Sequence, residues 1–503
     1  MLPTRIVVPK RSRFHTLKDL ASVPMLRLDL NIRLRILAIV AIMTGCGAAG
    51  LAQDAGVRVA LDDGRFEVWM PGNPVPAYFH NTASKFYSGS GTTFSLSTLR
   101  FSAKGQADAA RDGVDFLRRF CAGFMEGWGA KELSFEELTD FDYPAVEQRF
   151  QHGVVGGVPP GYFTHRAYYV DGQICSVFVD VAKDKYDSKR DEMDALRKKY
   201  FKSLVIDRKR PPHRAFDHAD RDRAKWPKPD PDLRKRLDAA HGMLAEPFAF
   251  CQTMDLDEFH WLVDELRPSG YRPTTFRPYI AEGRIRVAAV LLRDGQPFVI
   301  ASGQLSGQIE ARNQNLGQSY NQVDIGGWER DDQFYYAAVW RRFLPKRGVN
   351  KPIVGVWDSQ IEDRTKEVLD EAYELSRRHR MLGTIGDIEA YRHSLIAFKP
   401  RPAANFQHIQ GDRSLYEREL RKKLVPYEID LSLRKSGEIE YLASFSDAMT
   451  RYKEAHGQTP AEHLRSCQEF AKSGLLPVAI SVMYRDGQGY ESASIWHDRI
   501  AEP

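Results

Sequence analysis

The residue types that could do chemistry begin with serines and lysines. Acyl transfer by a serine enzyme of the Ser-x-x-Lys kind needs the lysine one helical turn from the serine, then Ser/Tyr-x-Asn, then a strand-borne Lys-Ser/Thr-Gly, in that chain order. The fragments occur as Ser319-Tyr320-Asn321, as Ser432 to Lys435, and as Lys-Ser-Gly at Lys435 to Gly437 and at Lys472 to Gly474. Their order is wrong, Ser432 falls in a strand pattern, and one Lys-Ser-Gly shares Lys435 with the Ser-x-x-Lys fragment. Short motifs outside their structural context recur by chance, and these read as such.

Other candidates are equally local. The chain has no His-Glu-x-x-His, no phosphate-binding Walker loop, no Gly-x-Ser-x-Gly and no Gly-x-Gly-x-x-Gly. Tyr87 to Thr93, "YSGSGTT", lies between strand patterns and reads as a flexible loop. His165 has no Ser/Asp spacing that supports a triad. His213, Asp217, His218 and Asp220 fall in a charged stretch without the fixed spacing of a metal cage. No catalytic residue, metal site or cofactor is expected.

The elements around these residues say more. At 503 residues the chain suggests about three domains. The formal charge is +5, and residues 207–236 alone hold eleven Lys/Arg against six Asp. The remaining chain is near neutral, so nucleic acid is not an expected partner.

The N-terminal 52 residues read as an export segment. Arg33 and Arg35 precede an apolar run from Ile36 to Met43 and small residues ending at Ala52, which predicts cleavage before Gln53. The run is short for a membrane span. Residues 1–24 precede a more usual start at Met25, and Met43-Thr44-Gly45-Cys46 offers Cys46 as a lipidation site. Both the cleaved and the lipid-anchored forms place the protein outside the cytoplasm, with membrane contact through this segment only. In such a compartment Cys121 and Cys175 are the one pair to consider for a disulfide.

Residues 56–206 predict a small α/β domain. Phe66, Val68 and Met70 alternate on a strand that closes on Pro71-Gly72. Val114, Leu117, Cys121, Phe124 and Trp128 form a helical stripe with Arg118 and Arg119 turned away. Strands at 133–138 and 146–155, a hairpin with an Asp171-Gly172 turn and a helix over 188–201 follow. This order, opening on Phe-x-Val-x-x-Pro-Gly, resembles the PsbP-related domains of the photosynthetic oxygen-evolving complex. The resemblance implies a binding or assembly module and transfers no catalytic residue. Residues 207–250 read as a basic, Pro-rich linker whose prolines break any helix.

Residues 251–498 predict an array. The segments "RVAAVLL", "YYAAVWR", "EYLASFS" and "YESASIW" bring Leu291, Trp340, Phe445 and Trp496 to intervals of 49, 105 and 51 residues. The double interval predicts a degenerate copy, filled by "YRHSLIAF" ending at Phe398. Five helix-plus-hairpin units follow: 251–293, 294–343, 344–400, 401–447 and 448–498. Capping boxes are expected at Asp255/Glu258, Ser414/Glu417 and Thr459/Glu462, and the third helix falls on "DRTKEVLDEAYELSRR". Ala288-Ala289 and Ala337-Ala338 let layers approach, and the following aromatics fill the core.

Gly270-Tyr271-Arg272-Pro273, the turn near Gly283 and Ala288-Ala289-Val290 resemble the bacterial tandem repeat domain of exported bacterial proteins. That repeat also precedes the serine-hydrolase domain of polyglycine hydrolases. The resemblance implies a repeat scaffold and leaves its ligand open. The expected fold class is α+β: a small α/β domain, an antiparallel sheet with packed helices, followed by the helix-hairpin array. The expected role is a non-catalytic binding or scaffold protein of the bacterial envelope, whose partner is another protein or an envelope polymer. Alternatives are a hydrolase with residues from several repeats and a lipid-anchored partner of a membrane system.

Overall fold

Alternating apolar residues dominate the first 150 residues of the domain region, and the computed structural model turns them into antiparallel strands. It describes residues 56–498 apart from 62–63, 155–157, 211–214, 317–318, 331–332, 343–350, 358–375, 385–390, 399–405, 423, 435 and 447–449, with backbone alone for 127, 351–357, 376–384, 391–398, 406 and 408. Cys46, Ala52 and Gln53 lie outside the described residues.

The first domain contains β1 (Val57–Leu61), β2 (Phe66–Met70), β3 (Val75–Phe79), β4 (Thr82–Gly89), β5 (Thr92–Arg100), α1 (Ala103–Gly127), β6 (Lys131–Glu137), β7 (Ala145–His152), β8 (Gly161–Val170), β9 (Gln173–Ala182), α2 (Lys183–Ser188), α3 (Arg190–Lys202) and β10 (Val205–Ile206). Seven strands form the antiparallel order β3-β4-β5-β9-β8-β7-β6, and β1-β2-β10 make a small separate sheet. Leu117, Cys121 and Phe124 on α1 and Trp128 at its C-terminal end are fully buried against one face of the large sheet, while Arg118 and Arg119 face solvent. Successive residues of a strand point to opposite faces. Ile174 therefore packs under α1 and Cys175 on the other side. Cys121 and Cys175 are buried thiols and form no disulfide. "YSGSGTT" is a hairpin turn and not a flexible loop: β4 ends at Gly89, Ser90 and Gly91 turn with φ of 48° and 71°, and β5 starts at Thr92. The Asp171-Gly172 turn has φ of 45° and 89°, positive at both central residues as a tight two-residue hairpin requires.

The basic stretch is partly structured. α4 (Pro231–Ala239) starts on Asp230, whose side chain accepts from the Asp232 N–H, and buries Leu233 and Leu237. Proline breaks helix interiors, but at the first helical position its missing N–H is no loss. The expectation that these prolines exclude a helix therefore fails at Pro231. β11 (Met243–Leu244) and β12 (Phe248–Asp255) follow.

Five strand sets complete the chain. The first is β12, α5 (Leu256–Leu266), β13 (Tyr271–Ala281) and β14 (Arg284–Arg293). The second is β15 (Phe298–Gln304), α6 (Ser306–Leu316), β16 (Tyr320–Arg330) and β17 (Gln333–Arg342). The third is β18 (Lys351–Trp357), β19 (Ser376–Thr384) and β20 (Tyr391–Phe398). The fourth is β21 (Phe406–Gly411), α7 (Arg413–Leu420), β22 (Val425–Leu433) and β23 (Ile439–Ser446), and the fifth β24 (Tyr452–Gln458), α8 (Pro460–Lys472), β25 (Leu476–Arg485) and β26 (Gly489–His497). In each set the leading strand pairs with the last one, which places the last strand in the middle and the second at an edge. β15 also pairs with β3 through Ala301 and Ser302, so the first domain and the second set share one ten-stranded sheet.

The helix ends differ in part from expectation. Thr459 and Glu462 form the capping box on α8. On α5 the Asp255 side chain makes no cap and pairs instead with Arg286 at 3.1 Å. On α7 the cap is Asp412, two residues before Ser414, and it accepts from the Leu415 N–H. Residues 358–375, most of the expected third helix, lie outside the described residues, and Ser376 to Arg378 open β19.

Candidate functional site

An edge strand leaves backbone groups that need partners. The edge strands β13, β16, β19, β22 and β25 meet one another: β13 lies against β16, β16 against β19, β19 against β22, β22 against β25, and β25 against β13. Five edges thus close around one hub, and side chains from neighbouring sets supply the partners. Asp324 on β16 accepts from the Phe276 N–H of β13 at 2.7 Å. Ser481 on β25 accepts from the Leu431 N–H of β22 at 2.9 Å, and Thr275 donates to the Val478 carbonyl at 3.4 Å. At Gly326 a methyl group would come within 2.8 Å of the Phe276 carbonyl, so β13 and β16 approach this closely only with glycine there.

The centre of the hub is charged. Arg277 grips Asp324 with two nitrogens at 2.6 and 2.7 Å and reaches Asp430 of the fourth set with Nε at 2.8 Å. All three are buried, Asp324 completely. A fork of this kind fixes geometry as well as charge. One guanidinium thereby links three sets.

One end of the hub opens as a cavity of about 580 Å³. Arg277 and Asp430 lie among its lining residues, Trp328 and Tyr484 supply aromatic surface, and Glu282 and Asp486 stand at exposed turns. It is large enough for a ligand of several residues or a small molecule. A second cleft of about 650 Å³ separates the first domain from the first set. There Tyr78 and Lys85 both donate to Asp257, His260 stacks on Tyr78 at 3.9 Å, and Arg236 lies 4.1 Å over the Trp261 ring.

Three buried Ser–His pairs test for hydrolytic chemistry. His165 Nε2 lies 2.7 Å from Ser176 Oγ, His260 Nε2 lies 2.8 Å from Ser302 Oγ and His463 Nε2 lies 2.8 Å from Ser494 Oγ. Burial pushes each histidine down to about 3, so each is a neutral imidazole with a single ring N–H in the ordinary pH range. The serines are themselves buried, and His165 and His463 have Cys121 and Cys467 sulfurs near Nδ1, at 3.7 and 3.6 Å, where a triad has a carboxylate. These pairs satisfy buried polar groups. The Ser-x-x-Lys fragments do not assemble: Ser319 is exposed at the head of β16, Ser432 is buried in β22, Lys472 ends α8, and Lys435 lies outside the described residues. Among the described residues no group of three His, Cys, Asp or Glu could hold a metal ion, and His213 lies outside them.

The remaining sequence candidates have structural places. Gly270 has φ +86°, and the Trp226 ring of the basic stretch packs on it; a methyl group there would lie 2.5 Å from that ring. Tyr271 donates to the Ala245 carbonyl at 2.8 Å, Arg272 holds Asp294 bidentately, and Pro273 precedes a register shift in β13. Ala288, Ala289, Ala337, Ala338, Trp340, Phe445 and Trp496 are all buried. Trp340 donates to Asn313 Oδ1 of α6 at 2.6 Å, whereas Trp496 sits edge-on to Phe248 and Phe250 of the first set. Arg277, Asp324 and Asp430 were not marked by any sequence motif, because they converge from positions 47 and 153 residues apart.

The class these features define is a mixed helix and strand chain of several antiparallel sheets. Residues 246–291 match the family described as polyglycine hydrolase-like, structural repeat. The solution structure of cyanobacterial PsbP (CyanoP) from Synechocystis sp. PCC 6803 is similar over 33% of this chain and 98% of that chain, at 12% identity and a TM-score of 0.24. No curated protein matches the chain.

Proposed function

We propose that this chain is an exported, non-catalytic binding or scaffold protein of the bacterial envelope, built on five tandem repeats that present the hub cavity to a partner. The observation that carries this reading is the hub itself. Its Arg277–Asp324–Asp430 link ties three sets together, and the cavity above it is lined from four of the five sets. The common strand order of the sets and the spacing of Leu291, Trp340, Phe445 and Trp496 support the repeat reading. The arginine-flanked apolar run before Gln53 supports export. The burial of all three Ser–His pairs, with a cysteine sulfur in place of a carboxylate at His165 and His463, favours binding over hydrolysis.

The test places a photo-crosslinking residue at Tyr484, at the cavity mouth, and at Lys104, exposed on α1, in cells expressing the chain. An adduct specific to Tyr484 is expected, on a protein whose mature N-terminus is Gln53 or a diacylglyceryl Cys46. Equal adducts from both positions would remove the cavity as the binding site. Stoichiometric labelling of the native protein by a fluorophosphonate would replace binding with hydrolysis, and an intact cytoplasmic chain would end the export reading.

A further inference from the structure

The small sheet β1-β2-β10 presents a face that the hub does not use. Val59, Phe66, Val68 and Met70 point into the core, so the alternate residues Arg58, Glu67 and Trp69 point outward. Arg58 and Trp69 are direct cross-strand partners. Lys199 at the end of α3 lies 3.9 Å from the Trp69 ring centre, Lys198 and Lys202 are exposed beside it, and Val205 on β10 is 46% exposed. Arg58 and Lys199 thus flank a partly exposed tryptophan, with Lys198 and Lys202 exposed on the same helix and an exposed valine on β10, beside the carboxylates of Glu67 and Asp207. Tryptophan flanked by lysines suits the headgroup level of a bilayer, where the indole is half immersed and the ammonium groups meet phosphate.

The second observation is where the chain comes from. Gly56 rests on Trp69, since a methyl group there would lie 2.2 Å from the indole nitrogen. Twelve residues separate Gly56 from the apolar run that ends at Met43. At roughly 3.5 Å per residue they span at most about 40 Å, so any membrane insertion of that run holds this face near the lipid.

We propose that the Arg58–Trp69–Lys199 face docks on the anionic headgroup surface of a phospholipid bilayer. This rests on the reading of the N-terminal segment as membrane-directed. Basic residues next to an acidic bilayer each strengthen binding about fivefold, and salt screens the effect.

The experiment is flotation of the full chain with phosphatidylglycerol-containing vesicles and with pure phosphatidylcholine vesicles. The wild type is expected to prefer the anionic vesicles, and added salt to erase the preference. Lys199→Glu with Lys202→Glu, at exposed positions that leave the fold intact by thermal melting, should reduce the preference at least about tenfold, and Trp69→Ala should weaken binding to both vesicles. An unchanged anionic preference in the double variant, or equal wild-type binding to both vesicles, overturns the proposal. Binding to phosphatidylcholine that survives in Trp69→Ala reports the N-terminal segment alone. Its loss would sink the membrane-directed reading while leaving the charge-dependent increment readable.

Discussion

At the scale of single residues, Arg277 and Gly270 show two ways in which a sequence position becomes indispensable. Arg277 neutralises two buried carboxylates, Asp324 completely enclosed and Asp430 nearly so. Removing one partner of a buried pair leaves an uncompensated charge, so Arg277→Ala is expected to lower stability by about 3–5 kcal/mol, measured by chemical unfolding. Asp324→Asn keeps the acceptor for the Phe276 N–H and should lose less. Gly270 is different, because its constraint is shape: a left-handed backbone and a tryptophan ring on the side a methyl group would occupy. Gly270→Ala should therefore be destabilising by about 1–3 kcal/mol. If the ring is half the cause, Trp226→Ala combined with Gly270→Ala will be less than additive. Full additivity in that cycle would assign the whole effect to the backbone.

At the scale of elements, His456 on β24 ties the fifth set to α7 of the fourth. Its Nδ1 lies 2.7 Å from Glu454 and its Nε2 lies 3.3 Å from Glu417, with the Tyr416 and Tyr441 rings edge-on and Arg413 nearby. Burial and the Arg413 charge oppose the imidazolium, but the hydrogen bonds to Glu454 and Glu417 and the charge of Glu454 outweigh them and raise His456 above its ordinary 6.5. A raised folded pKa means tighter proton binding in the folded state, so this stabilisation is complete below pH 6.5 and fades as pH rises through the higher folded value. Urea midpoints should fall with pH above 6.5 in the wild type and more gently in His456→Gln. Identical slopes would show that the imidazolium does not link the two elements.

The same scale shows what a sequence can tell. Hairpins were legible because alternation and turns such as Asp171-Gly172 are local, and so was the Thr459–Glu462 cap. The strand ahead of each helix was not. "FAFCQTMD" of β12 is buried on both faces at most positions, so it has no alternation to read. α4 was hidden by counting prolines without their position, since Pro231 starts a helix. The hub residues were invisible because nothing in the sequence pairs Arg277 with Asp430, 153 residues away.

At the scale of the molecule, the arrangement of the sets decides how the fold fails. A linear stack has two ends, and damage at one end spreads only to its neighbour. Here the fifth set packs on the first: Trp496, Ile480 and Val482 share a buried cluster with Phe248, Phe250, Tyr279 and Ala288. The first set in turn shares its core with the first domain through Phe259, Phe276 and Ala289, and the two halves are stitched again by β3 and β15. Trp496→Ala removes a large side chain from this joint and should cost about 3–5 kcal/mol. In a closed arrangement that loss must be felt at residue 248 as much as at residue 480. Hydrogen exchange is expected to quicken together in β12, β14 and β25 of Trp496→Ala, whereas Trp340→Ala, within the second set, should loosen β15 to β17 and leave β25 protected. If Trp496→Ala speeds exchange only in β24 to β26 and the adjoining fourth set, the chain behaves as an open stack and the hub cavity loses its closed wall.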